Sequence, residues 1–219
     1  MHHSHGDVGR FDQWAPTYER HWMQRLVFEP IQKTLLDLAA SEVPHPRDVL
    51  DVGCGTGRLL RAAATRFPDA AMEGVDAAPQ MVQTAINLLP PGAPIHFQEA
   101  TAESLPFDGG RFDLVFSTMT FHHWADQPKG VSEVARVLTP GGRWLLSDFI
   151  GQGLVRRVTQ LLRLHRFFDR QRLDALLAEN RLVVVAEKPA GWLGGSVPVL
   201  AIGKVDGAME SNPRSQRSP

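Results

Sequence analysis

Apolar positions along the chain follow two rhythms. Short, nearly continuous apolar runs bounded by Gly, Pro or Asp alternate with longer stretches in which apolar residues return every three or four positions. The short runs Val49–Val52, Met72–Val75, Ile95–Phe97, Phe112–Ser117, Arg143–Phe149, Leu182–Glu187 and Pro198–Ile202 read as strands. The longer ones predict helices over Arg10–Glu19, Met23–Ala40, Thr56–Phe67, Pro79–Leu88, Pro128–Leu138, Leu154–Phe168 and Arg172–Glu179. In the second helix Leu26, Ile31, Leu35, Leu36 and Leu38 form the inward side, and Pro44 and Pro46 end it. Leu59, Leu60 and Ala63 turn inward from the third. Pro79 suits a first helical turn, and Pro140-Gly141-Gly142 reads as a turn into the fifth strand. Strands alternating with helices in this way imply βαβ units, a mainly parallel sheet and helices on both faces. In such sheets ligands bind beyond the carboxyl ends of the strands, where the strand order reverses.

The 219 residues make one domain. Residues 10–205 carry the pattern. Residues 1–9, with His-His-Ser-His-Gly, and residues 206–219, rich in Ser, Pro, Arg and Asn, are expected to be disordered tails. A formal net charge of -1 argues against a protein built mainly to hold nucleic acid. The single cysteine, Cys54, excludes an internal disulfide and a multi-cysteine zinc centre, so no metal site is expected. No apolar run is long enough for a transmembrane helix, and a cytoplasmic location is the default expectation.

The most informative segment follows the first strand: Asp51-Val52-Gly53-Cys54-Gly55-Thr56-Gly57-Arg58. Three glycines within five residues between a strand and a helix let the backbone turn tightly and approach a ligand. The dinucleotide fingerprint would place its third glycine where Arg58 stands, and the Gly-Lys-Ser/Thr of a P-loop is absent. Asp51 would repel a pyrophosphate but suits a cationic amino group. S-adenosylmethionine carries an ammonium and a sulfonium and no phosphate. These features argue against a nicotinamide-dependent oxidoreductase.

This loop resembles the first motif of Rossmann-like (class I) S-adenosylmethionine-dependent methyltransferases of the small-molecule type. Later segments resemble that family's motifs in order: Gly74-Val75-Asp76-Ala77-Ala78-Pro79-Gln80-Met81, Ala102-Glu103-Ser104-Leu105-Pro106-Phe107, Phe112-Asp113-Leu114-Val115 with His122-His123-Trp124, and Arg136-Val137-Leu138-Thr139-Pro140-Gly141-Gly142. The resemblance implies a seven-stranded, mostly parallel α/β sheet whose last strand is antiparallel. It also implies a cofactor pocket. Asp51, Gly53, Cys54 and Gly55 would form the loop under the methionine end, and Asp76 would accept from both ribose hydroxyls. Ala77 and Met81 would pack beside the adenine. Thr101 stands where many relatives have Asp; its hydroxyl and the Ala102 N–H would reach the ring. Ser117 and Thr118 would contact the methionine moiety. Tyr18, in Ala15-Pro16-Thr17-Tyr18-Glu19, matches a segment that lies over the cofactor in related enzymes.

Methyl transfer to a hydroxyl or acidic carbon needs alignment, exclusion of water and removal of a proton. His122 and His123 follow the fourth strand, and an imidazole titrates in the right range. His123 is the preferred base, with His122 beside it; the alternative is a structural pair that holds the next turn. Asp148, at the end of the fifth strand, would orient the histidine or bind the acceptor. The amphipathic segment from Leu154 to Arg172 would line or cover the acceptor pocket, with Arg156, Arg157, Arg163, Arg166 and Arg170 mostly off its apolar side. The expected function is methyl transfer to an oxygen or carbon nucleophile of a small-molecule acceptor, with no nucleic-acid partner and no membrane insertion; a homo-oligomer is left open. Ser117-Thr118-Met119-Thr120-Phe121 lacks the Asn/Asp-Pro-Pro-aromatic signature of nucleic-acid amino methyltransferases. The alternative reading is a regulatory or scaffold protein that binds the cofactor without turning it over.

Overall fold

The computed structural model describes residues 28–151, 168–190 and 197–205. In chain order these form α1 (Glu29–Glu42), β1 (Asp48–Val52), α2 (Arg58–Arg66), β2 (Ala71–Asp76), α3 (Pro79–Asn87), β3 (Ile95–Glu99) and β4 (Phe112–Thr118). A 3₁₀ turn (Phe121–His123), α4 (Gln127–Val137), β5 (Leu138–Ser147), β6 (Ile150–Gly151), β7 (Phe168–Asp169), α5 (Arg170–Glu179), β8 (Leu182–Ala190) and β9 (Val197–Lys204) follow. The predicted helices Arg10–Glu19 and Leu154–Phe168 fall outside the described residues, save for Phe168, which pairs with Ile150 in a short β6–β7 ladder. Both expected tails also lie outside them.

Seven strands form one sheet in the order β3-β2-β1-β4-β5-β9-β8. The four pairings from β3 to β5 are parallel, and β9 runs antiparallel to both β5 and β8. This is the mostly parallel sheet with a final antiparallel strand that the sequence implied. Its strands read as continuous apolar runs because both faces are covered. On one face Ile31, Leu35 and Leu38 of α1, Leu59 and Leu60 of α2 and Val82 of α3 pack against Val49, Leu114, Phe116, Leu145 and Val199. On the other, Val131 and Val134 of α4 and Leu173 and Leu177 of α5 meet Leu50, Val115, Trp144, Leu146 and Leu200. The alternation along β4 and β5 therefore decides which face each rim residue serves.

Element ends differ from expectation for local reasons. The helix predicted from Thr56 starts at Arg58, because Gly57 is left-handed (φ 76°) and cannot continue a helix backwards. Asp126 and Asp169 extend α4 and α5 by accepting from the N–H groups of Lys129 and Gln171. The Pro140-Gly141-Gly142 turn is an excursion within β5: Leu138 pairs with Phe112 and Arg143 with Leu114, so five steps along β5 match two along β4. Strand order reverses at β1, which has β2 on one side and β4 on the other. In open sheets of this kind ligands bind at such a reversal, beyond the carboxyl ends of the strands. Among the described residues no helix is long and apolar enough to cross a membrane.

Candidate functional site

The turn after β1 is held from below. The N–H groups of Gly53 and Cys54 both donate to the Val75 carbonyl, at 2.8 and 3.0 Å, which ties the loop to the end of β2. Gly53 has φ 78°, and a Cβ there would lie 2.1 Å from Thr120 Oγ1, so only glycine lets the segment after β4 pack onto the loop. Gly55 is the opposite case. It has φ 53°, and none of the described residues lies within 4 Å of where a Cβ would point. Bare backbone thus faces open space at the top of the loop, as close approach to a ligand requires. The Cys54 side chain packs down into the core and leaves only its backbone in the loop.

Asp76, at the end of β2, braces this turn. Its Oδ2 accepts from the Gly55 N–H at 2.8 Å and its Oδ1 from the Ala78 N–H at 2.9 Å. Ala77 follows it, half-buried, and Met81 is buried on α3. Asp51 lies beneath the loop, 3% exposed. Burial, reinforced by the negative charge of Asp76, pushes its carboxyl up to about 8. No hydrogen bond from a described residue offsets that cost. A buried acid without a cationic partner, beside a second carboxylate, rejects phosphate and suits an ammonium group.

Thr101 and Ala102 follow β3. The loop folds back on itself through a Thr101–Ser104 bridge, with the Ser104 N–H donating to the Thr101 carbonyl at 3.2 Å. Thr101 is exposed at the rim and Ala102 is buried. Two residues fix this loop, neither of them expected to serve the site, although Arg136 opens one of the family-like segments. Glu133 and Arg136 on α4 form an ion pair at 2.8 Å and bind the backbone of Leu105 and Phe107. Their i,i+3 spacing on one helix was a visible signal, but the loop they hold lies about thirty positions away.

On the other side of the strand reversal, β4 and β5 bring Asp148 and the histidines together. Asp148 is fully buried. Its Oδ1 accepts from His122 Nδ1 at 2.7 Å, and its Oδ2 from the His122 backbone N–H at 3.0 Å. The Phe149 N–H adds a further bond at 2.6 Å. A neutral imidazole whose Nδ1–H donates to a carboxylate keeps the lone pair on Nε2. The His123 ring lies against that of His122, tilted by 44° with ring centroids 3.9 Å apart. The carboxylate grips His122 by both ring and backbone and so orients it, whereas the sequence favoured its neighbour. Ser117 points to the other side of its strand, where its hydroxyl accepts from the Trp144 indole N–H at 3.2 Å. Thr118 Oγ1 and Ser147 Oγ, at adjoining positions of β4 and β5, are buried and have no hydrogen-bond partner among the described residues. Tyr18 lies outside the described residues.

Residues 49–142 match the profile of the methyltransferase-domain family. The chain is 31% identical to YcgJ of Bacillus subtilis, with 72% of each chain covered and a TM-score of 0.62. The chain belongs to the class I, Rossmann-like methyltransferase family. It is also 34% identical over 187 residues to a malonyl-[acyl-carrier protein] O-methyltransferase of Geobacter sulfurreducens, covering 80% of this chain and 66% of that one. With a demethylmenaquinone methyltransferase of Thermus thermophilus it shares 37% identity over 119 residues, 54% of this chain and 53% of the relative. The chain thus spans about half the length of several curated methyltransferases that it matches. The segment matched by the family profile contains the glycine loop, Asp76, the Thr101–Phe107 loop and both histidines, whereas Asp148 lies beyond it.

Proposed function

We propose that this protein transfers a methyl group from S-adenosylmethionine to an oxygen or carbon nucleophile of a small-molecule acceptor. The observation that carries the cofactor half is the pairing of a bare glycine turn with a buried Asp51 that no hydrogen bond from a described residue stabilises. The residues that would hold the cofactor are Asp51 and the Gly53–Gly55 backbone at its amino-acid end, Asp76 at the ribose, and Ala77, Met81, Thr101 and Ala102 around the adenine. When bound, the cofactor supplies an electrophilic methyl on a sulfonium, with a neutral thioether as leaving group.

The remaining chemistry falls to the protein. The acceptor has to be oriented at the β4–β5 rim, shielded from water and relieved of a proton. His122 fits the role of proton acceptor. Asp148 accepts a hydrogen bond from the Nδ1–H and stabilises the imidazolium that would form when Nε2 takes a proton from the acceptor. His122 therefore replaces His123 as the favoured base. The Thr118 hydroxyl has no hydrogen-bond partner among the described residues and remains a candidate contact for the methionine moiety, whereas Ser117 is engaged by Trp144 and serves the core.

Named relatives act on demethylmenaquinone and on malonyl-[acyl-carrier protein], which puts quinols and carboxylic acids first among acceptors to try. The test is product formation from methyl-labelled cofactor across phenols, quinols and carboxylic acids. We expect labelled product from at least one class and its loss in His122→Asn. Tight cofactor binding with no turnover of any member would favour the binding-only alternative.

A further inference from the structure

The loop that bears Thr101 and Ala102 is strapped to α4 at both ends of that helix. Near its start, the Asp126 N–H donates to Glu103 Oε1 at 3.0 Å. Near its end, Glu133 Oε2 accepts from the Leu105 N–H at 3.0 Å, while Arg136 donates to the carbonyls of Leu105 at 3.0 Å and Phe107 at 2.7 Å. The same guanidinium bonds both Glu133 oxygens, at 2.9 and 2.8 Å. Glu133 is 8% exposed. Arg136 is exposed, and an ion pair open to solvent on one side is a poor source of stability, because water screens the attraction. Its planar, multiply bonded geometry instead fixes one arrangement of the groups it touches.

Leu105 is the residue next to the Thr101–Ser104 bridge, and Phe107 lies three positions from it. The constraint therefore passes from Arg136 through Leu105 to the rim. Among the described residues nothing accepts the Ala102 N–H, although Ala102 is buried. A buried donor left open is a cost that a ligand acceptor would remove.

Resting on the cofactor reading above, we propose that Glu133 and Arg136 are positioning residues for the adenine end of the cofactor. They touch no ligand. They hold the Ala102 N–H and the Thr101 hydroxyl where a purine edge is read. Glu103, in the Ala-Glu-x-Leu-Pro-Phe segment, holds the near end of the same loop.

The test compares S-adenosylhomocysteine with S-inosylhomocysteine by calorimetry. Replacing the adenine amino group with oxygen puts a proton on the ring nitrogen that would otherwise accept from a backbone N–H. Wild type should prefer the adenine ligand by about tenfold or more, the worth of one open donor. Glu133→Gln/Arg136→Met removes both charges together, so no lone buried charge remains. This double variant should lose most of the preference, with Arg136→Lys between the two. Hydrogen exchange of backbone amides 101–107 in the ligand-free double variant should quicken while the strands stay protected. Equal weakening of both ligands, or an unchanged preference in a folded variant, would overturn the proposal alone. A wild type that binds neither ligand would overturn the methyltransferase reading and this proposal with it.

Discussion

Asp51→Asn separates the stability cost of the site from its binding function. The folded Asp51 carboxyl is pushed up to about 8 from an ordinary value of 3.8. Below pH 4 the folded and unfolded chains both hold this proton, and the group makes no difference to stability. Between pH 4 and 8 the unfolded chain has released the proton and the folded chain keeps it. The folded state then binds more protons, so its stability falls as pH rises through this window. Each pH unit contributes about 1.4 kcal/mol, and about four of them give an upper limit of ~5–6 kcal/mol lost by pH 8. Asparagine has nearly the same shape and no charge to bury. Urea denaturation from pH 5 to 9 should therefore show the variant gaining on wild type as pH rises, with a plateau above pH 8. Binding should move the other way. S-adenosylhomocysteine brings an ammonium that Asp51 would pair, so its affinity should drop at least about tenfold in Asp51→Asn at pH 8. Below pH 8, binding to wild type should release a proton, visible as buffer-dependent heat. A stability difference that stays constant with pH would refute the reasoning.

Other outcomes follow from the same geometry. Gly55→Ala has room for its methyl and should cost only about 1–2 kcal/mol of backbone strain, yet weaken cofactor binding far more. Gly53→Ala meets Thr120 and should lower the melting temperature before binding is considered. His122→Asn should reduce turnover by about 10²–10⁴ with cofactor affinity retained, whereas His123→Asn should cost much less; equal losses would contradict the Asp148 assignment. Ser147→Ala removes a buried hydroxyl that has no partner among the described residues and should leave stability unchanged or raise it by about 1 kcal/mol, read by denaturation.

What sequence pattern reveals here depends on how local the cause is. The seven strands were legible because parallel strands buried on two faces leave apolar runs, and the glycine turn was legible because three small residues crowd one βα junction. The start of α2 was missed by two residues, since Gly57 looks like part of a helix until its backbone angle is known. His122 and His123 cannot be ranked by spacing; the bonds to Asp148, 26 positions on, distinguish them. Ser117 and Thr118 are likewise neighbours with opposite fates, decided by which face of β4 meets Trp144. The Glu133–Arg136 strap depends on a loop and a helix brought together only by the fold.

An S-adenosylmethionine site at the β1–β2 rim is tested most directly by titrating S-adenosylhomocysteine into wild type and into Asp76→Ala. The expected result is saturable binding of one molecule per wild-type chain, a loss of at least about tenfold in Asp76→Ala and no competition from NAD. Absence of binding to wild type, or displacement by NAD, would contradict it.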